Sequence, residues 1–85
     1  MPEISRFLGI VITMFYNDHS PPHFHALYGN NAATVSIRDE SVTGEFPNRA
    51  QRLVLEWCRL HRDELLENWE LAQQRRPLKR IAPLE

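Results

Sequence analysis

The chain has 85 residues, 42% of them hydrophobic and 25% charged, with a formal net charge of −1. That leaves room for one small domain and no second, and supplies no global field to draw in nucleic acid or a membrane surface. A single cysteine, Cys58, excludes an internal disulfide and a cysteine-based zinc centre, and three glycines are too few for a dinucleotide fold.

The opening "MPEISR" has no basic segment followed by an apolar core, so the expectation is a cytoplasmic chain without a leader. The longest apolar stretch, Phe7 to Tyr16, is about half a membrane span. "FLGIVITMFY" reads as a first strand, with Leu8, Ile10, Ile12, Met14 and Tyr16 in one apolar row. "NDHSPP" breaks that pattern, because neither proline donates to a ladder. "HFHALY" is the second strand and ends at the turn-prone "GNN". "AATVSIR" is the third, and "SVTGEF" a short fourth. Short links between consecutive strands favour an antiparallel meander.

From Ala50 the period changes. Leu53, Val54, Trp57, Leu60, Leu65, Trp69 and Ala72 recur at three- and four-residue steps, the spacing of an amphipathic helix. Pro47 in the first turn, or Asn48 as a cap with Gln51, starts it, and Pro77 ends it. One helix to Arg76 exceeds the usual length, so "HRDE" is read as a kink or junction, with Asp63 and Glu64 as first-turn acids. The tail "PLKRIAPLE" is expected to be extended, offering Leu78, Ile81 and Leu84 for docking. The prediction is a single two-layer α+β domain: a three- to four-stranded meander over 1–46, a long helical region over 47–76 covering one sheet face, and a tail over 77–85.

Charge is uneven. Residues 1–47 carry two basic and five acidic side chains, whereas the rest carries eight basic and six acidic, with Arg75, Arg76, Lys79 and Arg80 crowded together. Such a cluster meets phosphates or an acidic partner, or simply complements a helix C-terminus.

The chemistry concentrates in "NDHSPPHFHA", where His19, His23 and His25 fall within seven residues. In "HFHALY" the better core row is Phe24, Ala26 and Tyr28, which turns His23 and His25 to the open face. Thr34, Ser36 and Arg38 of the next strand should point the same way, with Asp18 and His19 reaching over from the loop. Two chemistries suit that set. His19, His23 and His25 could ligate Zn²⁺ or a similar ion with a position left for water. Alternatively, His23 and His25 act as an acid–base pair on a ribose phosphate of RNA, with Arg38 steadying the charge. Against both stands a plain hairpin loop in which Pro21–Pro22 stiffen the entry and the imidazoles face water. His61 lies apart on the helix and reads as an interfacial or surface residue.

The stretches "MPEISRFLGIVI", "NDHSPPHFHA", "RLVLEWCRLHRDELLENWELA" and "PLKRIAPLE" together resemble the bacterial domain-of-unknown-function family 4160. The likeness covers nearly the whole chain and is least distinctive from Gly29 to Phe46. It implies a small stand-alone protein encoded beside a second small protein, as a suspected toxin–antitoxin component; the expected partner is that second protein or a second copy of this chain. It carries over no catalytic residue and no settled activity. An exposed sheet edge and the tail are the surfaces such a partner would use.

Overall fold

Period-two sequence produces five strands, not three or four. The computed structural model describes residues 2–85. The strands are β1 (Glu3–Phe7), β2 (Ile10–Thr13), β3 (His23–Tyr28), β4 (Asn31–Ser36) and β5 (Val42–Glu45). They form one antiparallel sheet in the order β1-β2-β3-β4-β5, the expected meander with one more strand.

The extra strand comes from a hairpin inside "FLGIVI". Leu8 and Gly9 both have positive φ, 50° and 82°. That is what a two-residue turn matched to the strand twist requires. The turn swings Leu8 out to 63% exposure, while Ile10, Ile12 and Met14 of the same expected row are fully buried. Tyr16, at the other end of that row, lies beyond β2 and is also exposed. In β5, Gly44 has φ 110°, and a Cβ there would sit 2.7 Å from the Ala32 carbonyl oxygen.

The helical region divides into two helices rather than one, at the first residue of "HRDE", the stretch read as a kink or junction. α1 (Asn48–Leu60) and α2 (Arg62–Gln73) meet at His61, whose φ of −120° and ψ of 25° leave the helical region. Backbone bonding carries on across the junction: the His61 N–H donates to Trp57 O at 3.1 Å, and His61 O accepts from Leu65 N–H at 2.9 Å. The junction is thus a kink of one residue. Asn48 makes no side-chain cap; Pro47 precedes the helix and its carbonyl accepts the Gln51 N–H at 2.9 Å.

At the end of α2, Arg75 N–H bonds Ala72 O and Arg76 N–H bonds Leu71 O, with Arg75 at φ 56°. This is a Schellman closure in which arginine holds the left-handed position usually given to glycine.

The core lies between the sheet face carrying Ile10, Ile12, Phe24, Ala26 and Val35 and the helix residues Val54, Trp57, Leu65, Trp69 and Ala72. Trp57 is fully buried, with ring centroids 5.4 Å from Phe7 and 5.7 Å from Phe24. Cys58 is buried beside it, and burial pushes its thiol up from the ordinary range.

The tail does not stand free for a partner. Ile81 and Leu84 are buried and Leu78 packs partly against the core. Ile81 N–H donates to Ile4 O at 2.8 Å, the Trp57 indole donates to Ala82 O at 2.8 Å, and Arg80 reaches the Glu3 carboxylate at 2.9 Å. The Asn68 amide, itself buried, grips Lys79 twice at 2.9 Å, donating to its carbonyl and accepting its N–H. Among the described residues no helix is long and apolar enough to cross a membrane.

Candidate metal centre

The alternation of β3 places Phe24 and Ala26 in the core and turns His23 and His25 to the opposite face, as their spacing predicts. His25 lies across from Thr34 and His23 across from Ser36. The loop from Met14 to Pro22 folds back over these two rings. It is tied down by Asn17 N–H to Ala72 O at 3.1 Å, by the Gln73 amide to Asp18 O at 2.9 Å, and by Ile37 N–H to Pro22 O at 3.0 Å. The Ser20–Pro21 peptide is cis. The three hydrogen bonds hold Asp18 above β3.

Three ligating groups converge. His23 Nε2 lies 2.8 Å from Asp18 Oδ2, and His25 Nε2 lies 3.9 Å from the same oxygen. The donor atoms of Asp18, His23 and His25 all fall within 4.8 Å of one another. His23 Nδ1 is 2.8 Å from the Pro21 carbonyl oxygen, which only accepts. Nδ1 must therefore carry the hydrogen in that bond, which fixes the ring with Nε2 toward Asp18. His25 is fixed by Thr34 Oγ1 at 3.4 Å from Nδ1, and by Phe15, edge-on with centroids 4.5 Å apart. Its Nε2 is buried with no hydrogen-bond partner. Trp69 backs the His23 ring at 5.1 Å.

Electrostatics favours the ligating forms of His25 and Asp18. Burial lowers the His25 pKa and the adjacent His23 lowers it further, against an opposing pull from Asp18, a balance that favours the neutral ring. Burial also acts to raise Asp18. Hydrogen bonds from the His19 N–H and from His23 outweigh it and hold the carboxyl below its ordinary value.

The histidines do not form the expected trio. His19 is 90% exposed, with Nδ1 3.1 Å from the other oxygen of Asp18, and the carboxylate takes the place assigned to His19 in the ligand set. Arg38 sits in the exposed turn after β4 and does not line the cleft above the rings. That cleft, about 670 Å³, is walled by Phe15, Tyr16 and Asn17 on one side and by Thr34, Ser36 and Thr43 on the other. His61 is half-buried against Trp57, its Nδ1 2.6 Å from Glu64 and remote from the cluster.

Sequence reasoning passed over two further residues. Glu40, at φ 62°, joins the β4–β5 turn to both helices through Arg59 at 2.8 Å and through Arg62. Asn68 holds the tail. Neither carries a local signal, because both act on groups far along the chain. Asp18 stands five residues before His23, and the folded-back loop sets all three donors over one strand.

A small α+β domain of meander and kinked helix, with a carboxylate–imidazole cluster on its uncovered face, is the class defined by these observations. The profile of the family described as domain of unknown function (DUF4160) matches residues 9–70, and the chain belongs to that family. No curated protein and no solved structure matches it.

Proposed function

We propose that Asp18, His23 and His25 hold a divalent transition-metal ion and that the cleft above it is a hydrolytic site for phosphoesters. The observation that carries this reading is the convergence of two imidazole Nε2 atoms on one carboxylate oxygen, one of them buried without a partner. Two imidazoles and a carboxylate suit zinc and its neighbours in the first transition row, and three protein ligands leave positions for water and a substrate oxygen. The Pro21 carbonyl and Thr34 hydroxyl serve as the outer partners that orient ligating histidines. A bound ion would supply an activated water at neutral pH.

The same contacts weigh against a metal-free acid–base pair. Both nitrogens of His23 are engaged, by Pro21 and by Asp18, and His25 Nε2 is closed off from solvent. Neither ring then presents a nitrogen to a ribose hydroxyl, and Arg38 stands away from the cleft.

Titration with Zn²⁺ tests the reading. Ring resonances of His23 and His25 should shift together at one equivalent while those of His61 stay in place, and Co²⁺ should quench Trp69 beside His23. Unmoved His23 and His25 signals at millimolar Zn²⁺ would remove it.

A second reading, pairing with another small protein as in a toxin–antitoxin complex, is supported by the outer edge of β5, where Thr43, Gly44 and Glu45 are exposed. Strand addition at that edge would protect the β5 amides from hydrogen exchange as the complex forms. Unchanged β5 exchange in the assembled protein would exclude it.

A further inference from the structure

The cleft continues past the ligand cluster. Tyr16 and Asn17 line it and, together with Arg75, also line an adjoining open hollow of about 420 Å³. Tyr16 is 42% exposed, a large aromatic face turned to solvent. Arg75, like Arg38, Arg49, Arg52 and Arg76, makes no ion pair among the described residues, and of these it alone lines the hollow beside Tyr16. It also holds a left-handed backbone position that would cost glycine nothing. An unpaired guanidinium kept at such a position, beside an exposed ring, is a combination with a use.

We infer that this continuous groove binds single-stranded polynucleotide, with one phosphodiester over the Asp18–His23–His25 cluster, a base stacked on Tyr16 and a neighbouring phosphate on Arg75. The inference rests on the metal reading for the first of these contacts alone. Stacking is tolerant of base identity because every base has a π-face, and a cation beside the ring tracks the backbone. The near-zero net charge does not oppose this, since a bound divalent ion offsets Asp18 at the point where the phosphate would lie. Only a single strand fits: a base still paired in a duplex cannot lie on the Tyr16 ring.

The test is fluorescence anisotropy of labelled eight-nucleotide RNA and DNA strands, and of the RNA in duplex form, against the full chain with and without Zn²⁺. Single strands should bind and the duplex should not; a preference for the RNA strand would identify a contact to the 2′-hydroxyl. Tyr16→Ala should weaken binding by about tenfold and Tyr16→Trp should retain it. Arg75→Asn keeps a residue that tolerates the left-handed backbone. It should weaken binding and lower the salt slope, log K against log salt, by about 0.7. Zn²⁺ titration of the same variants should match the parent. Normal Zn²⁺ binding with no strand affinity, or with strand affinity indifferent to both substitutions, would overturn the inference and leave the metal reading standing. Strand binding that falls with both substitutions in a chain that ignores Zn²⁺ would uphold the groove and overturn the metal.

Discussion

His25 Nε2 faces a carboxylate oxygen across 3.9 Å with no hydrogen bond between them. If that space belongs to a metal ion, Asp18→Asn and His25→Ala should each lower Zn²⁺ affinity by at least about tenfold, measured by calorimetry. His19→Ala should leave it nearly unchanged, because the His19 ring lies out in solvent. Asn68 makes a separate prediction. In Asn68→Asp, the oxygen replacing the amide nitrogen faces the Lys79 carbonyl, two acceptors where a donor and an acceptor had met. The loss should be about 1–3 kcal/mol in denaturant unfolding. At this scale the sequence was readable where alternation governs: the outward direction of His23 and His25 follows from Phe24 and Ala26 of the expected core row, although its third member, Tyr28, is 38% exposed at the strand end. The choice of Asp18 over His19 was not readable, because it depends on a loop fixed by Ala72 and Gln73 in a distant helix.

Among elements, the tail behaves as part of the core. Ile81 is 3% exposed, and Ile81→Ala should cost about 2–5 kcal/mol by the usual cavity and transfer contributions. A thermal melt indistinguishable from the parent would show the tail to be detachable. β5 offers a second check: Gly44→Ala drives a methyl group against the Ala32 carbonyl, so β5 should separate from β4 and its amides should exchange faster. The meander and most of the helix face were legible from their periods, but Leu60, read into that face, is 65% exposed just before the kink. The hairpin in the first strand was not, since leucine is a poor occupant of a left-handed turn and the apolar row runs straight through it. The break at His61 was half legible: Asp63 and Glu64 marked a first turn, yet no glycine or proline marked the preceding stop.

For the molecule as a whole, the ends of the chain are joined by charge as well as by burial. Hydrogen bonds from Arg6 and Arg80 bring the Glu3 carboxyl down from its ordinary 4.5 to about 2. A carboxyl depressed in the folded state contributes stability above its unfolded pKa and loses it as pH falls through the folded one. The contribution should thus be complete above pH 4.5 and vanish toward pH 2. Glu3→Gln should melt lower than the parent at neutral pH, with the gap closing in acid and shrinking in high salt, because the groups are exposed. A gap independent of pH would assign the effect to packing instead.

The clasp between β1 and the tail also sets an order of events during synthesis. Each ladder of the sheet joins strands adjacent in sequence, so β1 to β5 can pair as they leave the ribosome. The Ile4 carbonyl and the Trp57 indole, however, wait for residues 81 and 82. A nascent chain stalled before those residues clear the exit tunnel would carry a paired sheet over an unfinished core.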